Sequence, residues 1–170
     1  MTNDVEDLIR KRAEDLKINI KDAADQLARM DDPARFDIIS AYMNKSDQAR
    51  RREWLICINA LCHIDRQEAN KRFEQALDTE NPEHRFRIIK LLGTYGMPSI
   101  VLTLIGILKS DPWSEIRLAA AATLGAIGDS SAIPALAWSA AYDKGVDFEG
   151  RSVALAAQQA IARIRERQDA

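Results

Sequence analysis

The sequence predicts an all-α protein in which helix pairs repeat and stack into a solenoid, and three observations carry that prediction. Apolar residues recur at a fixed long spacing: Leu61, Leu92, Leu124 and Ile161 lie 31, 32 and 37 residues apart. The same offsets carry Ile64 to Tyr95, Ile127 and Ile164, and Cys57 to Ile88, Ala120 and Ala157. A second set of columns, Ile39, Asn70, Val101, Ile133 and Tyr42, Phe73, Leu104, Leu136, follows the same offsets between the first. The third observation is a recurring helix start, Asp32-Pro33, Asn81-Pro82 and Asp111-Pro112. There a capping side chain precedes a proline that has no N–H to leave unsatisfied and whose φ is already helical. A period of this length with two helical patterns per copy is the signature of a helical repeat array.

Taken in order, the chain reads as four to five antiparallel helix pairs in one domain over residues 1–170. Val5, Leu8, Ile9, Leu16, Ala24, Leu27 and Met30 mark two helices before residue 32, a degenerate pair expected to cap the open end. Residues 32–167 then hold the repeats, each with an A and a B helix. The predicted pairs are Ala34–Met43 with Asp47–Ile64, Arg66–Leu77 with Pro82–Tyr95, Pro98–Lys109 with Pro112–Ile127, and Ala132–Tyr142 with Phe148–Arg167. Within the third B helix, Ile116, Ala120, Leu124 and Ile127 trace one helical face. The loop around Gly145 accounts for the longer last spacing.

The clearest copy is Asp111-Pro-Trp-Ser-Glu-Ile-Arg-Leu-Ala-Ala-Ala-Ala-Thr-Leu-Gly-Ala-Ile-Gly-Asp129, followed by Ala132-Ile-Pro-Ala-Leu136. It resembles the HEAT-like repeat named for the phycobilisome bilin lyases. The resemblance is strong over residues 109–137, partial over 81–108 and 153–164, and faint before 65. It implies an α/α superhelix that acts as a protein-binding scaffold, with some members serving as lyase or chaperone subunits. It also implies a ladder between repeats in which a capping Asp pairs with an Arg six residues on. The matching residues are Asp111 with Arg117 and Asn81 with Arg87, while Ala154 interrupts the column in the last repeat.

With 24 Lys and Arg against 26 Asp and Glu, the chain has a net charge of −2 and no global attraction to nucleic acid or anionic membrane. The opening MTNDVEDLIR is acidic and has no apolar signal core, so a cytoplasmic location is expected. Leu91 to Leu108 carries no charge over eighteen residues, but Gly96-Met97-Pro98 divides it into the end of one buried helix and the start of another.

Catalytic, cofactor and metal sites are not predicted. Phosphate loops, nucleophile elbows and paired-histidine zinc motifs are missing from the sequence. Cys57 and Cys62 are five residues apart, so on a helix their side chains diverge by about 140° and do not converge on one ion. Both are expected to be reduced, Cys57 as a small core residue, and the sequence shows no partner set that would make His63 or His84 a base. The basic run Lys45 to Arg52 and the cluster Arg85, Arg87, Lys90 suit solvated, ion-paired helix starts. The alternative is nucleic-acid contact with Trp54, Trp113 or Trp138 alongside, as in alkylpurine DNA glycosylases of HEAT-like fold. Interrupting Glu53, Glu80 and Glu83 weigh against it, as does a Trp113 expected to face the core.

Opposite the inward Ala120 position, two further columns emerge: Leu55, Phe86, Leu118, Leu155, and Asn59, Lys90, Ala122, Gln159. The first is wholly apolar where a free-standing helix is polar. It is either inter-repeat core or an apolar stripe with a polar edge. On the second reading Leu55, Asn59, Phe86, Lys90, Leu118, Leu155 and Gln159 form a protein-binding surface on the inner B-helix face, and the partner is another protein.

Overall fold

The computed structural model describes residues 4–15, 17–31, 34–45, 51–78, 80–95 and 98–169. Its packing divides the chain into two compact units, residues 1–72 and 73–170. Ten α-helices lie among the described residues and pack in adjacent pairs, as the periodicity requires.

The first unit holds α1 (Asp4–Glu14), α2 (Ile20–Ala28), α3 (Arg35–Lys45) and α4 (Arg51–Ile64). The two helices expected before residue 32 are present, with Val5, Ile9, Ala23, Ala24 and Leu27 fully buried. Asn19 caps α2 by accepting the Asp22 N–H at 2.8 Å. α4 is the hub: α1, α2 and α3 all pack on it, and Ile56, Cys57, Ile58, Ala60 and Leu61 are fully buried. Arg52 at its start donates to the backbone carbonyls of Asp15 and Ile18. The predicted Asp32-Pro33 cap, the Asp47 helix start, Leu16 and most of the Lys45–Arg52 basic run lie outside the described residues. α5 (Arg66–Leu77), capped by Asp65, carries the chain into the second unit.

The second unit holds α6 (Pro82–Tyr95), α7 (Val101–Ser110), α8 (Ser114–Ile127), α9 (Ile133–Tyr142) and α10 (Val153–Gln168). The B helices α6, α8 and α10 pack in series, with α7 on α8 and α9 on α10. The inward column Ile88, Ala120, Ala157 is fully buried, and so are Leu92 and Leu124. A second buried line, Ile89 and Ala121, runs beside it. The Thr123 hydroxyl donates across to the Ile89 carbonyl at 3.0 Å, so a polar residue in the α6–α8 seam is satisfied. The uncharged span Leu91–Leu108 is shared between α6 and α7, and among the described residues no helix is long and apolar enough to cross a membrane. The break itself, Gly96-Met97, is outside those residues.

In the second unit α6 starts where expected, whereas α7 to α10 each start later. Asn81 caps α6 as predicted, accepting the His84 N–H at 3.2 Å. α7 and α9 are each preceded by a 3-10 turn, Pro98–Ile100 and Ser130–Ala132. α8 begins at Ser114 rather than Pro112, because the Asp111 carboxylate takes the Trp113 N–H at 3.0 Å and makes a turn ahead of the helix. α10 begins at Val153 rather than Phe148. The intervening loop is tied by Asp147, 5% exposed, whose carboxylate accepts the N–H groups of Glu149 and Arg151 and the Arg151 guanidinium. Burial pushes the Asp147 pKa up, but these donors outweigh it and hold the group below its ordinary value. Gly150 supplies the positive φ of 77° that closes the loop.

Candidate functional site

The repeat columns place the expected binding residues on the B helices of both units. In the first unit Leu55 is half-buried, and Asn59 is 4% exposed with its amide donating to the Leu55 carbonyl at 2.6 Å. In the second unit Phe86 and Leu118 are half-buried, whereas Lys90, Ala122, Leu155 and Gln159 are exposed. Lys90 Nζ stands 5.7 Å from the centre of the Phe86 ring, a cation–π distance.

The second unit gathers part of this set into a groove. Leu118 and Ala122 of α8 face Leu155, Ala156, Gln159, Ala160 and Arg163 of α10, and Gly150, Arg151 and Ser152 close one end. The groove measures about 470 Å³ and is largely apolar. It forms because small residues occupy the crossing: Gly125 and Ala160 meet so closely that the larger side chains are left on its open side. Leu155 is 53% exposed there, among the described residues. Arg151 is engaged by Asp147 and Glu149 at 2.6 and 3.2 Å.

The ladder between repeats exists, but its pairing is shifted. Arg117 does not bind the Asp111 carboxylate. Its Nε and Nη2 donate to both oxygens of Asp143 at 2.8 and 2.9 Å, and its Nη1 donates to the Asp111 carbonyl at 2.9 Å. The equivalent of Arg117 one repeat earlier is Arg85, not Arg87, and Arg85 Nε donates to the Asp111 carboxylate at 3.0 Å. Each Asp thus accepts an N–H two residues on and a guanidinium from 26 residues earlier. Arg87 instead pairs with Glu83 on its own helix at 2.8 Å. Sequence spacing found Asp111 and Arg117 but not their partners, and it took Arg87 where Arg85 serves, because the Arg side chain is long enough to reach the next loop as easily as its own cap.

The basic cluster is locally neutralised: Arg85 is paired with Asp111, Arg87 with Glu83, and Lys90 rests over Phe86. Trp113 is 52% exposed, contrary to the expected core orientation, because starting α8 at Ser114 leaves it in the turn outside the helix. Trp138 is also 52% exposed and lies 5.7 Å from the Tyr142 ring. His63 Nε2 is 3.3 Å from Asp25 in the first unit. Among the described residues no group of three or more His, Cys, Asp or Glu side chains is placed to hold a metal ion. Burial pushes the Cys57 thiol far up and the Cys62 thiol to about 11, so both stay protonated at neutral pH. Alkylation of the native chain by iodoacetamide at pH 8 is therefore expected to be at least about tenfold slower than after unfolding, read by mass spectrometry.

The family model of HEAT repeats matches residues 55–121 and again 69–162, more than half of the chain. None of the curated proteins compared with the chain matches it.

Proposed function

The chain belongs to the HEAT-repeat family, whose members are in general protein-interaction modules, and from that premise we propose that it is a non-catalytic adaptor binding a partner protein on the exposed B-helix face. The observation that carries this reading is the groove between α8 and α10, apolar in its floor and lined by Leu118, Leu155 and Gln159. An exposed leucine on a packed helix is ordinary by itself. Two leucines facing one another across an open groove, edged by Gln159 and Arg163, form an anchor site with a polar rim. Helices held by their neighbours lose little conformational entropy on binding, which suits a rigid scaffold. The helix pair α1–α2 serves in this reading as the cap of the repeat array.

Partner proteins captured on the intact chain and identified by mass spectrometry supply the ligand for a quantitative test. Leu155→Glu and Leu118→Gln should each weaken that partner at least about tenfold, the usual effect of losing a central apolar anchor. Lys90→Glu should weaken it less, as a rim charge does. The control is Leu102→Glu on α7, which removes an equally apolar residue, 73% exposed, from another helix. Circular dichroism verifies the fold of each variant. Equal losses from Leu102→Glu and Leu155→Glu, or none from either groove variant, would overturn the assignment.

A further inference from the structure

A second pocket in residues 73–170 has a different chemistry. Pro82, Glu83 and Phe86 of α6, Trp113, Glu115 and Ile116 at the start of α8, and Phe148 of the 143–152 loop enclose about 280 Å³. Three aromatic side chains from three separate segments line one small space together with two carboxylates. We propose that this pocket binds a lysine or arginine side chain presented by an extended segment of a partner protein.

The backbone that carries two of the rings is held in place by interactions that have no need of them. The Trp113 backbone is fixed by the Asp111 carboxylate, and the loop bearing Phe148 is clipped by Asp147 and by the Ser114 hydroxyl, which donates to the Val146 carbonyl at 2.6 Å. Trp113 and Phe148 are nonetheless 52% and 81% exposed, so the loop keeps large apolar side chains in solvent around a cavity. Aromatic faces attract cations through their quadrupole, and Phe86 already meets the Lys90 ammonium at 5.7 Å.

Charge selects among occupants. Helix starts carry a partial positive charge of about half a unit, which by itself favours an anion. Here Glu83 and Glu115 sit in the first turns of α6 and α8 and place two full negative charges at the same spot. Among the described residues Glu115 makes no ion pair; its one hydrogen bond is from the Ser114 hydroxyl at a long 3.5 Å. Glu83 is shared with Arg87 across an exposed i,i+4 link, an interaction readily exchanged for another cation. The volume suits one long side chain and its neighbour rather than a folded surface, so the occupant is an extended segment.

The test uses the intact chain and four blocked pentapeptides that differ only in the central residue: arginine, lysine, the uncharged isostere norleucine, or glutamate. The Trp113 indole N–H resonance, assigned with Trp113→Phe, reports occupancy. Arginine and lysine peptides should shift it saturably, with norleucine and glutamate at least about fivefold weaker. Glu115→Gln should weaken the arginine peptide by about threefold or more and leave norleucine unchanged. Phe148→Ala, at a position too exposed to support the fold, should weaken both cationic peptides. Equal affinity for norleucine and arginine would make the pocket a plain apolar slot and overturn the proposal. So would the absence of any shift at about 10 mM peptide, or an unchanged arginine affinity in Glu115→Gln. The groove variant Leu155→Glu should bind these peptides normally, which separates this site from the α8–α10 groove.

Discussion

Replacing Arg117 with alanine is expected to destabilise residues 73–170 by about 2–4 kcal/mol, the range for leaving a nearly buried carboxylate without its partner. The Asp143 side chain is only 6% exposed and has both oxygens on the Arg117 guanidinium. Its remaining bond is to the Gly145 N–H at 2.8 Å. The same guanidinium also satisfies the Asp111 carbonyl at the turn before α8, so one deletion loosens both the α8 start and the α9 end. Arg117→Lys should recover less than half of the loss, because a lysine cannot bridge two oxygens and a carbonyl in one plane. Denaturant melts of the three forms read this directly.

The pair also fixes a pH dependence. The Arg117 hydrogen bonds hold the Asp143 pKa below its ordinary value, despite some opposing burial. A carboxylate with a lowered folded-state pKa binds its proton more readily when unfolded. Its contribution is therefore complete above the unfolded value of about 3.9 and fades as pH falls through the folded one. Asp143→Asn should thus be less stable than the parent chain at pH 6, with the gap closing below about pH 4. A gap that persists at low pH would show that the loss comes from packing rather than from the charge.

The sequence made the repeat legible because its signal is redundant. Ile88, Ala120 and Ala157 each read as core from their own column, and each is fully buried. Helix α5 and helix α6 begin and end at the expected residues, since Asp65 and Asn81-Pro82 leave little choice of start. What failed was geometry that depends on one side chain's reach. The Asp111-Pro112 pattern makes Asp111 a cap on the residues that follow Pro112. It caps Trp113 instead and receives Arg85 from the previous repeat, which turns Trp113 out of the core. The repeat pattern makes Phe148 the first residue of α10, yet it stands in a loop ordered by Asp147, a contact no periodicity encodes. The apolar column was visible in sequence, but its exposure was not. Leu118 and Leu155 share a column and differ in burial, because a column says which way a residue points and not what packs over it.

Two glycine-to-alanine substitutions on adjacent helices should act in opposite directions, and the larger effect belongs to Gly125. Inside a helix, alanine is favoured over glycine by about 1 kcal/mol through backbone entropy alone. At Gly106 of α7 a Cβ meets nothing within 4 Å, so Gly106→Ala should realise most of that gain. At Gly125 of α8 a Cβ falls 2.9 Å from the Ala160 Cα and 3.0 Å from its Cβ. The Ala160 Cα is backbone, so relief requires α8 and α10 to move apart, and overpacking of this kind costs about 1–3 kcal/mol. Separation also strains Arg167, whose guanidinium donates to the Gly125 and Gly128 carbonyls at 2.6 and 2.7 Å at the end of α8. Gly125→Ala should therefore lower stability despite its better helix propensity, and Gly125→Leu should lower it by more than about 3 kcal/mol. Hydrogen exchange should localise the loss to α8 and α10, because in a repeat array each helix pair answers mainly to its neighbours. The α8–α10 groove lies over this crossing, so Gly125→Leu should also weaken any partner held by Leu118 and Leu155, without touching either residue.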